Sequence, residues 1–345
     1  MPKPAASRRS LGSPVLVAVL ALAFVAALTG RALASEGRIA FIMDPATDLR
    51  GAKIATMWSN GTHVHTLVST VVTQTVLAAP TWSCNRLWVA YTSSPFDYNP
   101  SPTTTTPEVR VVRWDGARDH AVSIAPPWPG WTLKSAKVMA WSPSGRYLIV
   151  AENGAPHAAL HGNRDWLVMV DLRSGVARPF LRAGAPSYRF SSLSFTPDGH
   201  RLVVGEVALV PPTLPKPSLN RLVDVSTAKT ILTYPSYVSG IDVSPDGKRL
   251  SFMDCSKSRL LRSADINFRG IRTLRAFDNP MQDWGLNWLG FTKWSMDGSR
   301  IGFNAGVWDP VGEGSIDYVV HMSSSGSNFT TPLAGSGTSS GAFDW

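Results

Sequence analysis

The chain has 345 residues, a formal charge of +9, 44% hydrophobic and 17% charged residues, and two cysteines. Two cysteines exclude a disulfide framework and a cysteine-built zinc site. The basic excess is scattered rather than gathered into a stripe, which excludes nucleic acid as a partner.

The first predicted element is an export segment. Lys3, Arg8 and Arg9 precede an apolar run from Val15 to Leu28, and Ala32-Leu33-Ala34 supplies small residues for cleavage, so residues 1–34 read as a secretory signal peptide. Cleavage is expected after Ala34. The alternative is retention as an anchor, because Leu11 to Gly30 carries no charge and is long enough to span a bilayer. Ser7-Arg8-Arg9-Ser10-Leu11 also resembles a twin-arginine export signal. No cysteine follows the apolar run, so a bacterial-type lipid anchor is not expected. Without this segment the formal charge falls to +5. The protein is expected outside the cytoplasm, in a periplasm, at a cell wall or secreted, and any membrane contact would come through an uncleaved signal.

A repeat then runs to the end of the chain. The block begins with an aromatic or β-branched residue, followed by Ser or Thr, Pro, Asp or Ser, and Gly. It appears as Trp141-Ser-Pro-Ser-Gly145, Phe195-Thr-Pro-Asp-Gly199 and Val243-Ser-Pro-Asp-Gly247, and as Trp294-Ser-Met-Asp-Gly298 with Met in place of Pro. Degenerate copies stand at Trp82-Ser83-Cys84-Asn85 and Phe343-Asp344-Trp345. Successive blocks lie 48 to 59 residues apart, which suits four short strands per unit. Pro fixes φ while Asp and Gly accept the reversal, so each block is a tight hairpin turn. Leu148-Ile-Val150, Leu202-Val-Val204, Leu250-Ser-Phe252 and Ile301-Gly-Phe303 follow as strands. A second hairpin completes each unit: Ile54 to Leu67, Val109 to Ile124, Trp166 to Leu181, Arg221 to Leu232, Leu260 to Leu274 and Tyr318 to Leu333.

Six second hairpins face only five complete first hairpins. Arg38 to Met43 is an orphan second strand and Gly341 to Trp345 an orphan first strand, so the two are expected to pair and close the ring. The expected fold is therefore all-β: one six-bladed β-propeller of four-stranded antiparallel blades over residues 35–345, a length such propellers reach as single domains.

These turn blocks and their downstream Asp-Gly or Ser-Gly hairpins resemble the WD40-like (PD40) repeats of the TolB propeller domain, over residues 37 to 345. The resemblance implies an extracytoplasmic binding propeller lacking the α/β domain that precedes the propeller in TolB proteins.

The turns all fall on one face, and longer connections gather on the other, where function is usually grafted. Aromatic residues concentrate there: Phe96, Tyr98, Trp128, Trp131, Trp284, Trp288 and Trp308. Of these Tyr98, Trp128, Trp131, Trp284, Trp288 and Trp308 are the candidate ligand-binding set, offering stacking surfaces to a sugar ring or a partner protein; packing of loops onto blade tops is the competing role. Seven residues past the turn glycine stand Glu152, Glu206 and Asp254, at the upper ends of three successive second strands. They are candidate ligands for a Ca²⁺ ion or a cationic group, or acceptors of hydrogen bonds from neighbouring blades. Asp242, Lys293 and Asp344 each precede a turn block on an innermost strand, and are expected to form an ion pair with a solvated third member or a polar lining. His157, His161 and Asp165 make a weaker metal candidate, and no catalytic motif accompanies them. Cys84 and Cys255 fall in opposite blades, out of disulfide reach.

The function expected is a non-enzymatic, monomeric binding or scaffold propeller that engages a cell-envelope protein or glycan, without a catalytic residue or a required cofactor. The alternative is a metal-dependent hydrolase, lactonase or lyase that holds one cation on Glu152, Glu206 and Asp254.

Overall fold

The computed structural model describes residues 37–345 apart from 44–51, 71–74, 96–106, 125–135, 153–164, 185–187, 209–218, 237, 255–258, 278–285, 309–314 and 329–342. One unit spans Gly37–Trp345.

The local chemistry of the repeat block explains why the chain turns where it does. In Val243-Ser-Pro-Asp-Gly247 the Gly247 N–H donates to the Ser244 carbonyl at 2.8 Å, and Gly247 adopts a positive φ of 71°. The Ser244 hydroxyl donates to Asp246 and accepts the Arg249 N–H at 2.9 Å, while Asp246 accepts the Lys248 N–H at 3.1 Å. Thr196 with Asp198 and Ser295 with Asp297 repeat this network. Each block is thus a closed hydrogen-bonded unit that starts a hairpin without help from the rest of the fold.

Strands leave these turns in the expected order. The closing blade holds β1 (Arg38–Met43), β2 (Lys53–Trp58) and β3 (His65–Ser69). The second holds β4 (Thr75–Trp82), β5 (Trp88–Pro95), β6 (Glu108–Arg113) and β7 (His120–Ala121). The third holds β8 (Ala136–Trp141), β9 (Tyr147–Glu152), β10 (Trp166–Asp171) and β11 (Ala177–Arg182). The fourth is built from β12 (Tyr188–Phe195), β13 (Arg201–Ala208), β14 (Leu219–Asp224) and β15 (Thr230–Pro235). The fifth follows with β16 (Val238–Val243), β17 (Arg249–Asp254), β18 (Arg259–Asp265) and β19 (Arg272–Phe277). The sixth has β20 (Leu286–Trp294), β21 (Arg300–Trp308) and β22 (Ser315–Ser323). Its expected outer strand falls in residues 329–342, outside the described residues.

The last strand, β23 (Phe343–Asp344), is the innermost strand of the first blade, with Ala40 opposite Asp344 and Phe41 opposite Phe343. The ring closes as the orphan strands require. Among the described residues the architecture is all-β and six-bladed, with every pairing antiparallel.

Six apolar clusters hold the ring, each shared by two adjacent blades. Ile149, Leu167 and Met169 of the third blade pack with Phe190, Leu202 and Val204 of the fourth. Met253 and Phe277 of the fifth meet Trp294, Phe303 and Met322 of the sixth. At the closure, Ile39, Phe41 and Met57 join Val319, Phe343 and Trp345. Burial of each large side chain contributes about 1.5–3 kcal/mol, so the interfaces between blades carry the core. Phe343 and Trp345 lie so close to Gly302 of β21 that a Cβ there would stand 2.9–3.0 Å from their rings. A glycine lets the closing strand seat.

Candidate functional site

The five complete innermost strands share an irregularity. The pairing register shifts between Ala78 and Thr81 in β4, Val138 and Ala140 in β8, Phe190 and Ser192 in β12, Ser239 and Asp242 in β16, and Leu289 and Thr292 in β20. A bulge bends the strand and re-aims the extra residue. Here the extra residues gather around the ring axis: Ala79, Pro80, Met139, Ser191, Ile241 and Phe291 line one cavity, joined by Phe343 of the closing strand. They form a collar across the central channel. At Gly240, φ is 60° and a Cβ would stand 2.4 Å from the Phe291 Cα, so the fifth and sixth blades meet backbone to backbone at this height.

Below the collar, toward the turns, lies a charged group. Lys293 Nζ stands 3.6 Å from Asp242 and 3.4 Å from Asp344. The Asp242 carboxylate accepts the Trp294 N–H at 2.8 Å, and Asp344 accepts the Trp82 N–H at 2.7 Å. Burial opposes the Lys293 charge, but the two aspartates together outweigh it and hold its pKa above the ordinary lysine range. Burial raises Asp242 despite Lys293. The expected solvated third member does not exist: Lys293 bridges both carboxylates, because β20 lies beside both β16 and the closing strand. The arrangement is structural in part, since innermost strands of neighbouring blades lack a backbone partner and side chains must satisfy the exposed N–H groups. Ser194 does the same for Val243 at 3.0 Å, and Ser192 for Ile241 at 3.2 Å. Arg86 lies nearby at the turn-side mouth and donates to the Trp345 main-chain oxygen.

The three strand-end acids sit where the register count placed them, and all are buried. Glu206 is held by Arg221 and accepts the Gly184 N–H at 2.8 Å, while Asp254 pairs with Arg262 at 2.8 Å. Both arginines stand at the same diagonal position, two residues past the one opposite the acid: Glu206 faces Leu219 and Asp254 faces Leu260. Opposite Glu152 that diagonal position is Val168. Burial raises the Glu206 pKa against the pull of Arg221. Among the described residues no three His, Cys, Asp or Glu side chains stand together as a metal cluster.

Other sequence candidates fare unevenly. Tyr98, Trp128, Trp131 and Trp284 lie outside the described residues, as do Phe96, His157, His161 and Cys255. Trp288 and Trp308 stand at the loop-side ends of β20 and β21. Cys84 is an exposed free thiol. Asp165, the acid of the weaker metal candidate, is buried, and its pKa is pushed up to about 6 by burial, with Glu206 adding to the rise and Arg189 opposing it.

Two outcomes follow. Replacing Lys293 by Met leaves two neighbouring carboxylates without their cation, and urea denaturation at pH 7 should show a loss of about 3 kcal/mol. An acid whose folded pKa is raised above its unfolded value binds more protons in the folded state, so its contribution to stability declines as pH rises through that window. For Asp165 the window runs from its ordinary value of 3.8 to about 6. Across it the parent should lose on the order of 2 kcal/mol relative to an Asp165→Asn variant, measured by denaturation at each pH.

No protein-family model and no curated protein sequence matches the chain. Solved structures do. TolB from Acinetobacter baumannii superposes with a TM-score of 0.61 at 14% identity, over 90% of this chain and 67% of that one. The putative TolB from Agrobacterium tumefaciens gives 0.57 at 13% identity, over 86% and 89%. A periplasmic gluconolactonase from Pseudomonas aeruginosa gives 0.53 at 13% identity, over 89% and 99%. Identities this low speak to architecture alone, and on that ground the chain carries a TolB-like six-bladed propeller fold.

Proposed function

We propose that this chain is an exported binding propeller that engages a protein or glycan of the cell envelope through its loop face. The observation that carries the reading is the asymmetry between the two faces. On the turn face each complete first hairpin closes with five residues, as in 142–146 and 196–200. On the other face the second and third strands are joined by the longer segments 44–52, 96–107, 153–165, 209–218 and 309–314 in five blades and by 255–258 in the fifth blade. A scaffold that spends its sequence on one face presents that face to a partner. Of the aromatic candidates Tyr98 falls on the first of the connections longer than ten residues, Trp128, Trp131 and Trp284 on segments between blades, and Trp288 and Trp308 at the loop-side ends of strands; such side chains anchor protein and sugar ligands.

The charged groups support a binding role. Asp242 and Asp344 share Lys293, and Glu206 and Asp254 are committed to arginines. Residues 1–34 have the composition of an export signal, and the gluconolactonase of like fold is periplasmic. Export with cleavage after Ala34 accords with both.

The test is capture from a detergent-treated envelope extract of the native host, with the full exported chain and a Trp284→Ala, Trp288→Ala, Trp308→Ala variant as parallel baits. A partner retained by the parent and reduced at least tenfold on the variant is expected. Equal recovery by the two baits would count against the loop face.

A second reading follows from the gluconolactonase fold, which that chain shares over 99% of its length: a hydrolase, lactonase or lyase using a cation on Glu152, Glu206 and Asp254. A cation bound by the native state alone raises the melting midpoint. With two of the three acids paired to arginine, the midpoint is expected to move by less than about 1 °C between EDTA and added Ca²⁺. A larger rise with Ca²⁺ would favour the enzyme.

A further inference from the structure

Among the described residues the channel contains one cation that its charge network does not use. Lys137 stands on β8 two residues before the collar residue Met139, hence on the loop side of the collar, whereas Lys293, Asp242 and Asp344 lie on the turn side. Both lysines line the same cavity, but the aspartates of the network are bound to Lys293. Among the described residues no carboxylate compensates Lys137. Burial lowers its pKa, and no opposite charge raises it again. Its ammonium lies 5.0 Å from the centre of the Phe291 ring, a contact that steadies the cation without neutralising it.

The surroundings fit a small ligand. Lys137 shares its cavity with the hydroxyl residues Thr81, Ser192 and Thr292 and with the Phe291 ring. A half-buried cation packed on a ring, in a cavity where among the described residues no carboxylate stands against it, is the composition of a site that an anion completes. Lysine acts as a point charge and accepts carboxylate or phosphate alike.

We propose that Lys137 is the recognition group of an oxyanion site on the loop side of the central channel, which takes one carboxylate or phosphate group of a small ligand. The site lies within the channel and uses none of the loop-face tryptophans, so it stands or falls separately from the binding role assigned to that face.

The experiment compares thermal midpoints of the full exported chain and its Lys137→Met variant in sodium chloride, sodium acetate and sodium phosphate, at pH 7 and equal ionic strength. Phosphate stabilises most proteins through exclusion from their surface, so the informative quantity is the difference between the two proteins. At an oxyanion concentration ten times the dissociation constant the parent should gain about 2 °C or more over the variant. A gain in acetate alone marks a carboxylate ligand, and one in phosphate alone a phosphate ligand. Equal shifts in parent and variant in both salts would overturn the site. A second measurement needs no variant. Lys137 in the parent is acetylated with trace acetic anhydride and followed by peptide mass mapping; saturating phosphate or acetate should slow its modification at least twofold, and an unchanged rate would overturn the proposal.

Discussion

The fold depends on one carboxylate. Asp344 belongs to the two-residue strand that completes the first blade, yet its oxygens reach the second blade through the Trp82 N–H and the sixth through Lys293. Three blades therefore meet at one side chain, at the point where a linear chain has to become a ring. Phe343 and Trp345 on either side of it fill the apolar cluster shared by the first and sixth blades. Removing the charge would leave the apolar contacts in place and take away the polar link between blades that have no strand in common.

The bulges have a complementary effect on the inside of the ring. A regular strand alternates its side chains between the two faces of its own sheet, and both faces are needed for the interfaces between blades. The inserted residue escapes that alternation, so it can reach the channel from a strand whose regular positions serve the core. Phe291 lies in this lining, Met139 and Ile241 join it to the cores between blades, and Trp141 and Trp294, a few residues on, pack between blades. Lys137 above the collar and Lys293 below it consequently occupy separate environments, one with no carboxylate among the described residues and one with two.

Much of this architecture is legible in the sequence because its determinants are local. The Ser-Pro-Asp-Gly block satisfies its own backbone within six residues, and the same count from its glycine locates Glu152, Glu206 and Asp254. The orphan strands at residues 38–43 and 341–345 announce the closure. What the sequence does not show arises between elements. The bulge in β12 leaves no mark on Arg189-Phe190-Ser191-Ser192, since it is a property of how two strands pair. Lys293 reads as half of an ion pair because the ring that brings Asp344 beside it is not a feature of any one blade. The arginines diagonal to Glu206 and Asp254 are open to a register count across the neighbouring strand. The isolation of Lys137 is not, because it depends on what every other blade places at the same height.

Five of the six innermost pairings join segments adjacent in the chain, each built around its own turn. The pairing of Ala40 with Asp344 joins residues on the order of 300 positions apart. Hairpins of the first kind can form as soon as their own few dozen residues are available, while the last can form only when the whole chain is. The order of assembly is thus set by topology, with blades first and enclosure last, and the channel comes into existence only in the final step.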